Sequence, residues 1–192
     1  MAEETLKQQL PLKKKKKRWI SIYGTKNFKD IQLGESYVAD PSRLMNKNLE
    51  INLMELTNDV KKQNIKVRFI INNISENKAT ADFIGHELVS SLVKRVVKRA
   101  KSKIDDSFIV ETKDNIKIRV KPLVLTKTKA AHSVLTRLRS KIRETLIVNF
   151  KKYTYDELVQ QLLNQEVHKL LKEQLKKIYP VSVVELRYLR KL

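Results

Sequence analysis

The stretch from Ile116 to Arg143, IKIRVKPLVLTKTKAAHSVLTRLRSKIR, changes period halfway along, and that change restricts what the chain can build. In its first half Ile116, Ile118 and Val120 alternate with Lys117, Arg119 and Lys121. A period of two belongs to a strand with one face buried and the other in water. In its second half Ala131, Leu135, Leu138, Ile142 and Leu146 fall on one stripe at helical spacing. Arg137 and Lys141 flank that stripe on one side, Arg139 and Arg143 on the other. The whole stretch holds nine Lys or Arg residues and no acid. A strand and a helix that each bury one side and show cations on the rest make a basic surface on a rigid scaffold. A phosphate backbone requires such a surface.

The rest of the chain shares this bias. Its 41 Lys and Arg outnumber 21 Asp and Glu, for a formal net charge of +20. An excess of that size repels itself unless a polyanion lies against it. A heat-adapted surface would raise Lys and Glu together, and here the acids lag. With 192 residues and 41% hydrophobic content, the chain can bury a real core, so it is not a wholly disordered basic protein. The absence of cysteine excludes disulfides and Cys-ligated zinc, and suits a reducing compartment. No apolar run is long enough to span a bilayer, and no apolar segment follows the N-terminal cations as in a secretion signal. The expected location is the cytoplasm, with no membrane partner.

In chain order, Lys13, Lys14, Lys15, Lys16, Lys17 and Arg18 form an unbroken block of cations. Such a block cannot fold on itself, so residues 1–18 read as a flexible basic tail and residues 19–192 as a single folded domain. WISIY (Trp19 to Tyr23) is a first strand, and Asp40-Pro41 a turn. Leu49, Ile51 and Leu53 mark another strand. IKVRFII (65–71) and ATADFI (79–84) are two more, with INNISENK as the hairpin linker. Val89, Leu92, Val93, Val96, Val97 and Ala100 predict a helix whose other side carries Lys94, Arg95, Lys98 and Lys101. A basic amphipathic helix also suits a membrane surface or a calmodulin-type partner; embedded between strands, this one is expected to spend its apolar face on the core. DSFIVET (106–112) is a strand. Thr154 and Glu157 make a capping box, with Tyr153 and Leu158 as a staple, for one helix running through Leu163, Val167, Leu170, Leu171, Leu175 and Ile178 to a stop at Pro180. VSVVELRY (181–188) returns as a strand. The order predicts an α+β fold: a largely antiparallel, barrel-like sheet with packed amphipathic helices.

No catalytic constellation emerges. His86, His132 and His168 are far apart, and His86-Glu87 lacks the second histidine of a zinc-protease helix because Ser90 stands there. Three glycines cannot make a phosphate-cradling loop or a dinucleotide fingerprint. Asp105-Asp106 read as turn residues or helix-proximal acids rather than a metal pair. Glu35, Asp40 and Asp82 are the carboxylates left to converge on Mg²⁺, which keeps an RNA-processing enzyme as an alternative. Otherwise no metal, cofactor or catalytic residue is expected. Trp19, Tyr23, Phe28 and Tyr37 cluster near the basic N-terminus, where a base can stack on a ring beside a cation; Trp19 and Phe28 read more readily as core. No aromatic RRM pattern and no KH-type GxxG is present, so recognition of shape and phosphates is expected rather than sequence reading.

Seven segments carry a resemblance: WISIY, LTND (56–59), DFIGHEL (82–88), SKIDDSFIVETKDN (102–115), IRVKPLVLT (118–126), LRSKIRE (138–144) and IYPVSVVELR (178–187). In this order they resemble the S3Ae (eS1) family of small-subunit ribosomal proteins, from about Trp19 to the C-terminus. The resemblance implies a barrel-like sheet with helices around it, and a place on the small-subunit platform near the messenger exit and the 3′ end of the rRNA. It implies small-subunit rRNA, neighbouring ribosomal proteins and messenger RNA near its exit as partners. The family belongs to archaeal and eukaryotic ribosomes; eukaryotic members carry a further C-terminal extension, so a chain stopping at Leu192 resembles the archaeal type. There are no catalytic residues to carry over, and the role implied is structural rRNA binding on the ribosome. The expected contacts are Arg119, Lys121, Lys127 and Lys129, then Arg137, Arg139, Lys141 and Arg143. Lys94, Arg95, Lys98 and Lys101 of the earlier helix, Lys26, and the arm from Lys13 to Arg18 complete them. A regulator working off the ribosome is the second alternative.

Overall fold

Two groups of strands meet on one late strand. The computed structural model describes residues 16–25, 28, 30–75 and 77–192. The first group is β1 (Arg18–Gly24), β2 (Gln32–Val38), β3 (Asn48–Asn52), β4 (Ile65–Ser75) and β5 (Lys78–Leu88), with a short helix α1 (Leu53–Thr57) between β3 and β4. Helix α2 (Ser90–Val96) leads to the second group, β6 (Lys103–Asp105), β7 (Phe108–Glu111) and β8 (Lys117–Thr126). Three helices follow, α3 (His132–Phe150), α4 (Tyr155–Leu163) and α5 (Glu166–Lys176), and then β9 (Val181–Lys191).

Among the described residues the nine strands form one sheet with the path β2-β1-β5-β9-β8-β6; β4 joins β5 and carries β3, and β7 joins β8. The ladders are antiparallel except β1 with β5, which is parallel from Ser21 to Gly24. Opposite its edge with β4, β5 divides its other edge between two neighbours: Lys78 to Ala81 pair with β1, and Gly85 to Glu87 pair with β9. The β5–β9 seam is therefore three residue pairs long. No ladder joins β2 to β6 among the described residues, so the sheet is branched and open where a barrel-like closure was expected. The mixed α+β class and the mostly antiparallel pairing agree with the sequence.

The period-two segments behave as half-buried strands should. Ile20 and Ile22 of β1, Val67, Phe69 and Ile71 of β4, and Ile118 and Val120 of β8 all point into the core. The rings of Phe28, Phe69 and Phe83 meet edge-on or tilted at 5.0–6.2 Å between centroids. The same buried cluster includes Leu138, Ile142, Leu146 and Phe150 of α3, Leu158 and Val159 of α4, and Leu171 and Leu175 of α5. The register between β4 and β5 shifts after Arg68, which leaves Ile84 as the extra residue of a bulge. The Tyr155 hydroxyl, arriving from α4, donates to the carbonyls of Phe83 (3.0 Å) and Ile84 (3.2 Å) there. A buried bulge carbonyl needs such a partner.

Several expected boundaries move. The hairpin strands run on through Asn72, Asn73 and Ile74, so the supposed linker INNISENK is mostly β4, which ends at Ser75, and β5 begins at Lys78. Leu53 opens α1 rather than closing β3; the Asn52 side chain accepts from the Met54 amide and caps it. Helix α2 stops at Val96, and its apolar residues are half-buried rather than core. Trp19 is 62% exposed, so it is not a core residue, whereas Phe28 is. The capping box of Thr154 and Glu157 forms as expected, but the long helix it was to begin breaks at Gln165, whose φ of 59° is left-handed. The break turns α5 so that Val167, Leu171 and Leu175 face the core against α3 and β9.

β9 also unites two histidines that the sequence separates. The Leu186 carbonyl accepts from His86 Nε2 at 3.0 Å, and the Leu186 amide donates to His168 Nε2 at 3.2 Å. Glu185 Oε2 lies 3.4 Å from the same His168 nitrogen. Burial lowers His168 from its ordinary 6.5 to about 4, with His86 adding to the effect, and burial lowers His86 as well. Burial raises Glu185 from 4.5 to about 7, opposed by Lys172. The histidines thus withdraw stability as pH falls from 6.5 through 4, because the unfolded chain takes their protons first. Glu185 withdraws stability as pH rises from 4.5 through 7, because the folded chain holds its proton more tightly. The two trends oppose each other over most of that range. Glu185→Gln removes one of them: its Tm, followed by circular dichroism from pH 4 to 8, is expected to gain on the parent as pH rises and to level off above about 7.

Candidate nucleic-acid interface

Lys117, Arg119 and Lys121 alternate outward on β8 because Ile118 and Val120 are buried. The antiparallel partner β9 sets Arg190 directly across from Arg119, and Tyr188 across from Lys121. Like charges facing each other across a ladder repel. Neither Arg119 nor Arg190 has an ion pair among the described residues, and both are exposed. The Lys121 ammonium sits 4.8 Å over the Tyr188 ring. Lys94 from α2 lines the same groove as Lys121, Arg187 and Tyr188. The nearby acids are already engaged. Arg68 pairs with Glu50 at 2.8 Å and Glu87 at 2.9 Å, and Arg187 with Asp105 at 2.7 Å. Among the described residues Arg119, Arg190, Lys94 and Lys121 therefore have no ion pair, and the Glu87 that shares the groove of Lys94 and Lys121 is held by Arg68.

A second basic group lies where the segment after α2 meets the β8–α3 loop. The Ser102 amide donates to Thr126 Oγ1 at 3.0 Å, and Ser102 Oγ accepts from the Ala130 amide at 3.1 Å. The Lys127 amide donates to the Pro180 carbonyl at 3.0 Å. Tyr179 pins the far side: its hydroxyl donates to the Lys129 carbonyl at 3.1 Å and lies 2.9 Å from Thr128 Oγ1. The loop backbone is thereby fixed while the Lys127 and Lys129 side chains stay exposed. Lys98 and Arg95 are exposed nearby in sequence, but Lys101 is half-buried and its ammonium donates to Ser182 Oγ at 2.8 Å.

On α3, Arg137 and Arg139 are exposed without ion pairs among the described residues. Lys141 pairs with Glu144 at 3.6 Å. Arg143 reaches Asp106 at 3.3 Å and lies 5.4 Å over the Phe108 ring. Asp105 and Asp106 are therefore anchors for Arg187 and Arg143 rather than plain turn residues. Lys16, Lys17 and Arg18 are exposed at the start of β1; Lys13, Lys14, Lys15 and Lys26 lie outside the described residues. Sequence reasoning missed Arg187, Tyr188 and Arg190. The available signal was the cationic run RYLRK around one inward leucine; the alternation itself slips at Arg187, the extra residue between Leu186 and Tyr188 in the β8–β9 register, so Leu186 and Leu189 both point inward.

The carboxylates singled out for Mg²⁺ do not gather. Glu35 accepts from Gln32 Nε2 at 2.9 Å, Asp82 accepts from Asn72 Nδ2, and no group of three metal-ligating side chains comes together among the described residues. No helix is long and apolar enough to cross a membrane among the described residues.

A family model described as the Ribosomal S3Ae family matches residues 7–192. The small ribosomal subunit protein eS1 of Methanothermobacter thermautotrophicus is 34% identical over 172 residues, which is 90% of this chain and 88% of that protein. That of Methanobrevibacter smithii is 33% identical over 90% of this chain and 89% of its own length. That of Nanoarchaeum equitans is 31% identical over 86% and 84%.

Proposed function

Because the chain belongs to the Ribosomal S3Ae family, we propose that it is a structural component of the small ribosomal subunit and works by binding rRNA. One observation carries the binding mechanism: Arg119 and Arg190 face each other across the β8–β9 ladder with no acid between them. A free protein gains nothing from that arrangement, whereas a phosphate laid across both removes the repulsion. Besides this pair, Lys94 and Lys121 in their groove, the pinned Lys127–Lys129 loop, and Arg137 and Arg139 on α3 supply further cations. They neutralise rRNA backbone and let its helices pack.

Residues 19–192 act in this reading as one folded unit, and residues 1–18 as a basic arm that orders along rRNA. The protein sits in the cytoplasm on the ribosome, beside other small-subunit proteins and near the path of exiting messenger RNA. Neither an RNA-processing enzyme nor an off-ribosome regulator has an observation of its own in its favour.

Sedimentation of native lysate through a gradient, with detection of this protein, tests the proposal. The protein is expected to travel with the small subunit at moderate salt and to leave it as salt rises. With six to ten phosphate contacts, affinity falls by about 10³ to 10⁵ between low and moderate salt for a lone protein on RNA. Protein that stays at the top of the gradient at moderate salt would overturn the ribosomal role.

A further inference from the structure

The outer side of β1 and β2 presents aromatic rings instead of charge alone. Since Ile20 and Ile22 point inward, Trp19, Ser21 and Tyr23 point outward. Trp19 stands directly opposite Tyr37, with ring centroids 4.9 Å apart and planes tilted by 38°. The two rings are 62% and 51% exposed. The Lys17 ammonium lies 5.7 Å over the Tyr37 ring, and the Lys78 ammonium 5.7 Å over Tyr23. The row continues across the sheet through Thr80 of β5 and Asn73 and Ser75 of β4, all exposed. Glu35, opposite Ser21 and hydrogen-bonded to Gln32, adds an acceptor to the same face.

Two large rings left in water are unfavourable unless a partner covers them. A protein partner would favour an apolar centre depleted of charge. This face instead sets rings among ammonium groups, hydroxyls, amides and one carboxylate. Rings stack bases, polar side chains meet base edges, and lysines meet phosphates. Trp19 and Tyr23 are about 13 Å apart along β1 at the usual strand rise, which leaves room for more than one nucleotide.

We infer that this face binds unpaired, single-stranded RNA, with one base on the Trp19–Tyr37 pair, another on Tyr23, and Lys17 and Lys78 toward the intervening phosphates. The inference rests on the ribosomal reading in that RNA is the ligand, but it uses a different face and a different interaction from the arginine ladder.

Trp19 is the chain's one tryptophan, so its emission reports on this site alone. The test titrates the full chain with a short oligoadenylate and, separately, with a blunt RNA duplex of equal length. The single strand is expected to quench the emission, while the duplex binds through phosphates and leaves it unchanged. Tyr37→Ala is expected to weaken single-strand binding about tenfold with an unchanged salt slope, and Tyr37→Phe to bind like the parent. Salt-dependent RNA binding without quenching, and unaffected by Tyr37→Ala, would overturn the inference and leave the ribosomal reading intact. Failure to bind either RNA would defeat both. Emission that responds only to added small-subunit proteins would assign the face to a protein partner and overturn the inference. The quenching measurement needs no variant, so it decides the matter even if Tyr37→Ala folds poorly.

Discussion

Gly85→Ala is expected to lower the stability of the free protein by about 3 kcal/mol, an overpacking cost at the upper end of the usual range. At this chain length the corresponding fall in Tm is roughly 6–12 °C. A β-carbon at this position would lie 1.9 Å from the Leu189 carbonyl oxygen and 2.9 Å from Arg190 Cα. Both atoms are backbone, so no side chain can rotate aside. Relief requires β5 and β9 to separate, and their ladder is only the three pairs Gly85–Arg190, His86–Leu189 and Glu87–Tyr188. Separation would also pull the Leu186 carbonyl from His86 and disturb the outward position of Arg190. By contrast, a Cβ at Gly34 would meet nothing within 4 Å. Thermal unfolding of Gly85→Ala beside the parent checks the expectation, and an unchanged Tm would mean that the seam is looser than the structure shows.

The second large effect has two signs. Arg119→Ala combined with Arg190→Ala is expected to stabilise the free protein slightly, by about 0.2–1 kcal/mol, because facing like charges are removed. The same pair of substitutions is expected to weaken binding to small-subunit rRNA by roughly 10- to 100-fold near 100 mM salt. Each lost phosphate contact should also reduce the slope of log affinity against log salt by about 0.9. Few structural lesions improve folding while harming binding, so the combination isolates the electrostatic role. Denaturant unfolding and filter binding across a salt series supply the two readings. Unchanged affinity and slope would place the RNA contacts elsewhere on the surface. The set Arg137, Lys141 and Arg143 is a less clean probe, because Arg143 also holds Asp106 and covers Phe108, and Lys141 pairs with Glu144.

Signals with a local cause could be read from the chain. Alternation around Ile118 and Val120 gave β8, because a strand with one wet face must alternate. The helical stripe through Leu138, Ile142 and Leu146 gave α3, and Thr154 with Glu157 gave the start of α4, because a capping box closes within four residues. What could not be read depended on distant partners. The Arg119–Arg190 contact exists only once the β8–β9 register is known. The parallel pairing of β1 with β5 and the meeting of His86 with His168 are likewise products of topology. Gln165 breaks a helix that its hydrophobic pattern would continue, and no glycine or proline marks the place. Trp19 was readable but misread: the period that sends Ile20 and Ile22 inward sends Trp19 outward, and bulk was weighed above position. Gly85 lay beyond the expected end of its strand, so its close approach to another backbone left no trace.

The position of β9 in the chain also orders events in time. It is translated after the other eight strands, yet it supplies the only ladder linking β8 to β5 among the described residues. Until it emerges, the edges of β5 and β8 that it will occupy stay unpaired, and no ladder joins the two groups of strands among the described residues. Such contacts span long sequence separations and close slowly. Nascent chains therefore pass through a stage in which an open sheet edge coexists with a surplus of positive charge. That charge keeps copies apart and guards the unfinished edges against pairing with one another, a protective role for the same cations that later meet phosphate.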